Sequence, residues 1–350
     1  MSERPLWIGT YTPGSEPEGG GAGVYTARLD TRTGELTGGG AAIGAVGPSF
    51  LALHPDGNRL LAVAERADGG IACFALGAGG PAGPLWQAGT GGGSPCHVLV
   101  HPAGRHAVAA NYADGSVSVH ALDGPAPGEA VARIAHTGSG PVADRQAGPH
   151  AHSTALAPGG RHLLIADLGT DELRCHPFDP DRADPVGPAG TAARLPAGTG
   201  PRHMAVHPSG HIYVAGELDA RVHVLRWDPR TARARPVASV PASGAAGTAY
   251  PGEIALSPVG DRLYVSLRGP DAVAAFAVRD GGASLHHLAD APTGGAWPRH
   301  FALADGHLIA ANQNSGTLTS LPLDPVTGVP GAPVSELEVP DPACVLPAAD

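Results

Sequence analysis

The chain has 350 residues, a formal net charge of −10 at neutral pH, and a composition that is 42% hydrophobic but only 4% aromatic. Its 22 basic residues are all arginine and are not clustered, so nucleic-acid binding is not expected and chemistry that needs a lysine is excluded. Glycine (52) and proline (36) make up about a quarter of the chain, and the aliphatic runs between them predict many short strands joined by tight turns.

The N-terminus and the cysteines give no sign of export, membrane insertion or metal binding. Met1–Pro5 carries both charge signs, and no apolar stretch of about 18 residues follows, so we expect a soluble cytoplasmic protein that does not span a membrane. The four cysteines lack CxxC spacing and lie in or beside strand-like runs, which predicts small buried apolar side chains. They are Cys73, Cys96, Cys175 and Cys344. No cofactor is expected.

The first predicted strands are LWIGTYT, GVYTARLD and LTGGGAAIG, and a repeated unit follows them. Each repeat has a proline, a strand, a Pro/Gly/Asp turn and a second strand, then a third strand and a weaker fourth segment. The repeats begin at Pro48, Pro95, Pro149, Pro201, Pro251, Pro298 and Pro342, at intervals of 44 to 54 residues. A period near 40–50 residues with four strands per repeat is typical of a β-propeller.

The two ends of the chain complete this count. The C-terminal repeat contains only a first strand, PACVLPA, and the N-terminus supplies a second, third and fourth strand. We therefore predict an all-β fold, with residues 1–350 forming a single seven-bladed β-propeller of four-stranded antiparallel blades. A composite blade from both termini closes the ring and removes free edge strands. The polar, Gly- and Pro-rich stretch Gly124–Gly148 is predicted to be a surface loop.

Polar residues recur where the first strand of each repeat begins and where the second ends. Because these two strands are antiparallel and lie nearest the channel, their polar residues should meet at one channel mouth. The starts contribute His97, His150, His152, Arg202, His203, Glu253, Arg299 and His300. The ends contribute Glu65, Asn111, Asp167, Glu217, Arg268, Asn312 and Gln313, with Tyr11 from the composite blade. Several arginines together favour a small anionic ligand. His150 and His152 form an HxH pair, which leaves a metal site as the alternative, although the arginines would repel a cation.

Four motifs in this order resemble those of the seven-bladed β-propeller lactonase family. They are RQAGPHAH (Arg145–His152), GPRHMAVHP (Gly200–Pro208), GEL (Gly216–Leu218) and WPRHFAL (Trp297–Leu303), and the opening IGTYT also matches. The resemblance covers essentially the whole chain. The family includes one type of bacterial 6-phosphogluconolactonase and the fungal carboxy-cis,cis-muconate cyclases.

The resemblance implies lactone chemistry at the channel mouth without an obligatory metal. The family's catalytic histidine, two arginines and glutamate correspond to His150 or His152, Arg202, Arg268 and Glu217, with Arg299 a comparable candidate for the second arginine. In the working hypothesis Glu217 or His152 activates water, while Arg202 and Arg268 hold the oxyanion or the carboxylate. The residues expected to bind substrate are Arg299, His203, His97, Asp167, Gln313 and Arg145.

The expected activity is hydrolysis of 6-phosphoglucono-δ-lactone to 6-phosphogluconate in the pentose phosphate pathway. Arginine suits a phosphate because its guanidinium can form two parallel hydrogen bonds. Two alternatives remain open. One is a carboxymuconate-type cyclase or lactonase of aromatic catabolism, which needs arginines for carboxylates. The other is a non-catalytic propeller that binds a partner, for which the low aromatic content offers little support.

Overall fold

The computed structural model describes residues 3–77, 80–123 and 126–348. Over these residues the chain forms 28 strands in seven four-stranded sheets, with one short 3-10 turn at Asp280–Gly282. Every sheet pairs its strands antiparallel. The prediction of an all-β, seven-bladed propeller is confirmed.

The strands follow the chain blade by blade, and each blade after the first runs from the channel outward. Blade 1 contains β1 (Glu3–Thr10), β2 (Gly23–Asp30) and β3 (Leu36–Gly44). Blades 2 and 3 contain β4 (Leu51–Leu53), β5 (Arg59–Ala64), β6 (Gly70–Gly77), β7 (Gly80–Gly89), β8 (Pro95–Val100), β9 (His106–Asn111), β10 (Val117–Ala121) and β11 (Ala130–Ile134). Blades 4 and 5 contain β12 (Ala151–Leu156), β13 (His162–Asp167), β14 (Glu172–Pro177), β15 (Gly190–Arg194), β16 (Pro201–Val206), β17 (His211–Gly216), β18 (Arg221–Asp228) and β19 (Arg233–Pro241). Blades 6 and 7 contain β20 (Tyr250–Leu256), β21 (Arg262–Arg268), β22 (Ala272–Arg279), β23 (Ser284–Pro292), β24 (Pro298–Ala304), β25 (His307–Asn312), β26 (Thr317–Pro322) and β27 (Ser335–Glu338).

The last strand, β28 (Pro342–Pro347), belongs to blade 1 and closes the ring. It pairs with β1 in the register Leu6↔Pro347 to Gly9↔Cys344. Apolar side chains then fill the seam between blade 1 and blade 7, where Leu6 and Leu29 pack with Ile309 in one buried cluster. The predicted composite blade is therefore confirmed, and it pairs a β1 edge that would otherwise be open.

Neighbouring blades pack face to face through aliphatic side chains with few aromatics. Between blades 5 and 6, for example, Tyr213 and Val224 share a buried cluster with Ile254 and Phe276. All four cysteines are buried and none forms a disulfide, as the strand-like sequence around them predicts. The core therefore lies between the blades, and the channel is left to polar residues.

The prediction for Gly124–Gly148 is wrong in part. Gly124 itself lies outside the described residues, and Ala130–Ile134 form β11, the outer strand of blade 3. Four of its five residues pair with β10, and Val131 lies in a register shift. Only residues 135–150 connect blade 3 to blade 4.

A β-bulge lies near the start of six of the seven inner strands, after the first residue of five of them and after the second residue of β20. In β8, for instance, Pro95 pairs with Asn111 and His97 with Ala110, which leaves Cys96 without a partner. An extra residue of this kind bends the strand and re-aims its side chain. The other residues in these register shifts are His152, Arg202, His203, Gly252, Glu253, Arg299 and Ala343.

The bulges also correct the repeat alignment in blade 4. Ala151 pairs with Asp167, as Pro95 pairs with Asn111, so Ala151 and not Pro149 occupies the position of the repeat proline. His152 is consequently the structural equivalent of Cys96. His150 lies just before the strand.

Candidate active site

The site is built at one channel mouth by the bulges of the inner strands and the ends of the second strands. Arg202 and Arg299 lie in the bulges of β16 and β24. Glu65 and Glu217 directly follow β5 and β17, and Arg268 ends β21. Contacts between these side chains join blade 5 to blade 6 and blade 7 to blade 2.

Glu217 holds three arginines at once. Its Oε2 lies 2.7 Å from Arg268 Nη2 and 3.1 Å from Arg202 Nε, and its Oε1 accepts a hydrogen bond from Arg145 Nη2 at 2.5 Å. Burial alone would raise the pKa of this carboxyl, but Arg268, Arg202 and Arg145 lower it far below its ordinary value. Glu217 is therefore a fixed negative charge that sets the positions of the guanidinium groups.

Arg202 is the arginine with unused hydrogen-bonding capacity. It is 2% exposed, its Nε faces Glu217 Oε2 at 3.1 Å, and its Nη1 donates no hydrogen bond to any other part of the described chain. Burial, with repulsion from Arg268 and Arg299, lowers its pKa to about 9. The group is still cationic at neutral pH, so its Nη1 presents a buried N–H donor to an anionic ligand atom.

Arg268 and Arg299 have more complete surroundings. Arg268 donates to the backbone carbonyls of Tyr250 and Pro251 as well as to Glu217, and its guanidinium carbon lies 5.6 Å from the centre of the Trp297 ring. Arg299 lies over the Tyr11 ring at 5.1 Å. Arg268 is fixed by these contacts.

Glu65 is a second buried carboxylate, which the sequence placed at the channel mouth but not among the residues expected to be catalytic or to bind substrate. Tyr11 Oη donates to its Oε2 at 3.1 Å, Ser49 Oγ also donates to Oε2, and Arg299 Nη2 lies 4.0 Å from Oε1. Burial raises its pKa, because the opposing arginine and hydroxyl groups do not compensate fully. Its position directly after the second strand, equivalent to that of Glu217, is the signal that could have identified it.

A cluster of histidines lies beside these residues in the channel. The His203 ring centre is 5.2 Å from that of His152 and 5.5 Å from that of His97. Phe50 packs against His97 at 4.4 Å and His300 at 5.4 Å. Burial lowers the pKa of His97 to about 3 and that of His300 to about 4, and it lowers those of His152 and His203 well below 6.5. These histidines are neutral at pH 7.

The two histidines of the PHAH motif have different surroundings. His152 is 5% exposed and contacts His203 and Cys96 inside the channel. His150 stacks on Tyr112 at 4.6 Å, and its Nδ1 is hydrogen-bonded to the Tyr112 carbonyl at 2.6 Å. Only His152 therefore belongs to the interior cluster.

Asp167 and Gln313 lie away from the arginine cluster. Asp167 is fully buried, and its Oδ1 accepts hydrogen bonds from the backbone N–H groups of His150 and Gly169. Gln313 donates its backbone N–H to the Trp297 carbonyl, and its Oε1 is buried without a hydrogen-bond partner among residues 3–77, 80–123 and 126–348. Asp167 thus supports the PHAH segment, whereas Gln313 has an unused acceptor.

Residues 135–150 reach the mouth through Arg145. Its Nη2 bridges Glu217 and the Tyr112 hydroxyl, at 2.5 and 3.3 Å. The neighbouring Gln146 is fully buried and donates from Nε2 to the Leu168 carbonyl and to Asp171 Oδ1. The connection between blades 3 and 4 is therefore anchored beside the site.

A small cavity of about 10 Å³ adjoins Glu65, Arg202 and Arg299. Its lining comprises Ser49, Phe50, Glu65, Cys96, Arg202, His203, Arg299, His300 and Ala343. Larger depressions, of about 900, 750 and 450 Å³, contain none of these residues. Within the described ranges no group of three or more His, Cys, Asp or Glu residues is arranged to hold a metal ion. No helix in that part of the chain is long and apolar enough to cross a membrane.

Comparisons with known proteins give one consistent result. The family described as "Lactonase, 7-bladed beta-propeller" matches residues 5–347. The 6-phosphogluconolactonase of Bacillus subtilis (strain 168) is 32% identical over 359 residues, covering 99% of this chain and 98% of the relative. A 6-phosphogluconolactonase of Formosa agariphila is 27% identical over 335 residues, covering 92% and 93%. The solved structure of the periplasmic gluconolactonase of Pseudomonas aeruginosa superposes with a TM-score of 0.91 at 28% identity, covering 99% of both chains.

Proposed function

The chain belongs to the seven-bladed β-propeller lactonase family, and from this premise we propose that it hydrolyses 6-phosphoglucono-δ-lactone to 6-phosphogluconate. With this substrate the enzyme acts in the pentose phosphate pathway, in the cytoplasm. The proposal takes the reaction from relatives that carry that name and takes the roles of the residues from the contacts in the channel.

The observation that carries the proposal is the environment of Arg202. Opening a lactone converts a carbonyl oxygen into an oxyanion, which preorganised donors in a buried site stabilise far better than bulk water does. Arg202 is buried, its Nη1 has no hydrogen-bond partner in the described chain, and its Nε lies 3.1 Å from Glu217. Arg202 is therefore the oxyanion donor, and Glu217 holds it in place.

Water activation is assigned to a neutral channel histidine rather than to Glu217. Both carboxylate oxygens of Glu217 face arginines, Oε2 facing Arg268 and Arg202 and Oε1 facing Arg145, so neither oxygen is open to take a proton from water. His152 and His203 lie in the same cluster and are kept neutral by burial and by the nearby arginines. A neutral imidazole can take a proton from water at pH 7.

The remaining arginines are assigned to the anionic part of the substrate. Arg299 lines the same cavity as Arg202, and Arg145 is partly exposed at the mouth. A phosphate ester suits guanidinium groups because each can donate two parallel hydrogen bonds. Arg268 is fixed by Glu217 and two backbone carbonyls, so it acts mainly by keeping the site positive.

The test compares the wild type and Arg202→Ala on 6-phosphoglucono-δ-lactone, glucono-δ-lactone and a muconolactone. We expect the phosphorylated lactone to be preferred, and we expect the variant to lose about 10²–10³-fold in kcat with its circular dichroism spectrum unchanged. Arg194→Ala is the matched control, because Arg194 is an exposed arginine of β15 whose partner is Glu172.

Each other outcome contradicts a stated part of the proposal. Preference for glucono-δ-lactone would contradict the phosphate assignment, and preference for the muconolactone would favour the cyclase alternative. No turnover of any lactone above the spontaneous rate would favour the non-catalytic propeller. An Arg202→Ala variant as active as the wild type would remove Arg202 from the mechanism.

A further inference from the structure

His203 has the environment of an oriented general base. Its Nδ1 lies 2.7 Å from Glu253 Oε2, and the ring is 4% exposed. Its Nε2 is buried without a hydrogen-bond partner anywhere in the described ranges. Because Glu253 at Nδ1 accepts the N–H of the neutral ring, Nε2 carries the lone pair. His203 also lines the cavity that Arg202 lines.

From this geometry we propose that His203 is the group that removes the proton from the attacking water, and that Glu253 is its positioning residue. The inference rests on the proposed lactone hydrolysis and names the base within it. A nucleophile-activating base that is held by a carboxylate through its other nitrogen is a recurring arrangement in hydrolases. Neither residue has a catalytic role in the family resemblance, where the histidine comes from the PHAH motif.

The proposed reaction consumes one water and one lactone. The water oxygen bonds to the lactone carbonyl carbon while its proton passes to His203 Nε2, and the carbonyl oxygen becomes an oxyanion beside Arg202. When the tetrahedral intermediate collapses, the bond between that carbon and the ring oxygen breaks. Nε2–H then returns the proton to the ring oxygen, which becomes the hydroxyl of the product. His203 ends neutral, and the new carboxyl group releases its proton to solvent.

The other channel histidines lack this combination of a carboxylate at one nitrogen and an open second nitrogen. His300 has its Nε2 3.5 Å from Glu253 Oε2 and its Nδ1 3.4 Å from the Val345 backbone N–H, so both nitrogens face protein groups. His97 accepts the Thr154 N–H at 3.4 Å. The nearest polar atom to His152 Nδ1 in the described contacts is Cys96 Sγ, at 3.8 Å.

Charges on several neighbouring elements act on His203. Burial lowers its pKa first, and Arg202, Arg299 and Arg268 lower it further, while Glu217 acts in the opposite direction. Glu253 contacts the ring directly, and His97, His152 and His300 are neutral neighbours. The base is therefore in its active, neutral form at neutral and mildly acidic pH. Activity should be lost only as pH falls through a value below the ordinary histidine pKa of about 6.5.

The experiment measures kcat, KM and the pH dependence of kcat/KM for the wild type, His203→Asn and Glu253→Gln. Asparagine can keep the hydrogen bond to Glu253 but has no atom at the Nε2 position. We expect H203N to lose about 10²–10⁴-fold in kcat with KM within about threefold of the wild type. In E253Q the acidic limb of the kcat/KM profile (the acid limb) should move to lower pH. A carboxylate next to the ring favours protonated His203, so removing that carboxylate favours the neutral form.

The control is His207→Asn, in the turn between β16 and β17 at the opposite end of both strands, where His207 contacts Ser209 and Gly260. It should leave kcat and the acid limb unchanged.

Should H203N fail to fold, His203→Gln carries the same expected loss, because its amide cannot accept a proton at neutral pH. If the wild type hydrolyses a lactone and H203N or H203Q keeps more than a tenth of the wild-type kcat, the role of His203 is overturned. Unchanged kcat and an unchanged acid limb in E253Q overturn the role of Glu253. A wild type inactive on all three lactones overturns the proposed function, and this inference with it.

Discussion

Glu65 and Glu217 occupy equivalent positions after the second strands of blades 2 and 5, yet their environments differ. Three guanidinium groups surround Glu217, whereas Glu65 receives hydrogen bonds from two hydroxyl groups and has one arginine 4.0 Å away. Their pKa values consequently move in opposite directions, that of Glu217 down and that of Glu65 up. Two carboxyls of one site with separated pKa values can take different roles. Glu217 is the one that keeps the buried positive charge compensated.

Replacing Glu217 with glutamine should destabilise the protein strongly. The change leaves the buried guanidinium groups of Arg202 and Arg268 without their counter-charge, and breaking a buried ion pair from one side costs about 3–5 kcal/mol. The measurement is the free energy of unfolding from urea titration. Glu3→Gln is the control, because Glu3 pairs with Arg28 at the surface and such pairs contribute less than about 1 kcal/mol. Equal effects of the two substitutions would show that Glu217 does not compensate the arginines.

At the scale of the strand, the sequence predicted the blades well and the bulges poorly. Every blade must bury two apolar faces and turn tightly three times, so Gly, Pro and aliphatic residues recur in a visible pattern. A bulge is a local change of one residue in register and leaves no comparable pattern. In blade 4, for example, the sequence pattern aligns Pro149 with the repeat proline, whereas Ala151 occupies the equivalent position in the structure. For that reason the sequence could not separate His150 from His152.

The connection between blades 3 and 4 depends on Gln146, whose importance no sequence pattern indicated. Its Nε2 donates to Leu168 O at 2.8 Å and to Asp171 Oδ1 at 2.7 Å, and its Oε1 accepts from the Val142 N–H. Long-range hydrogen bonds of this kind join residues far apart in the chain. They follow from the fold and not from neighbouring residues.

Gln146→Ala should loosen residues 135–150 and weaken substrate binding at the mouth. Buried partners left unsatisfied cost about 1–3 kcal/mol, which corresponds to roughly tenfold or more in local opening. We expect faster amide hydrogen exchange in residues 140–150 and a KM several-fold higher, since Arg145 lies next to Gln146 and contacts Glu217. Ala147→Ser, at an exposed neighbouring position, should change neither. Unaltered exchange in the Gln146 variant would mean that other contacts hold the connection.

The whole molecule places its charged site where all seven inner strands meet, and this explains why so many titratable groups are buried. Arginines and carboxylates compensate each other there, but the histidines stay neutral. Composition and repeats predicted the ring, its closure and the polar mouth. They did not predict which polar groups are desolvated, because desolvation depends on side chains from several blades at once.

This burial of neutral histidines should make the folded protein sensitive to mild acid. A histidine whose pKa is lowered by folding binds its proton more readily in the unfolded chain, so its contribution to stability is complete above about pH 6.5 and is lost as pH falls toward the folded pKa. The histidines with a lowered pKa are His97, His101, His106, His120, His136, His152, His162, His176, His203, His211 and His300. For His97, with a folded pKa of about 3, the slope is about 1.4 kcal/mol per pH unit over most of that interval. The raised pKa of Glu65 acts in the opposite direction, but it is a single group.

We therefore expect Tm by calorimetry to fall steadily between pH 6.5 and 4.5, and His97→Gln to reduce the slope of the unfolding free energy over that range. A Tm that stays constant from pH 7.5 to 4.5 would mean that these histidines are protonated as readily in the folded protein as in the unfolded chain.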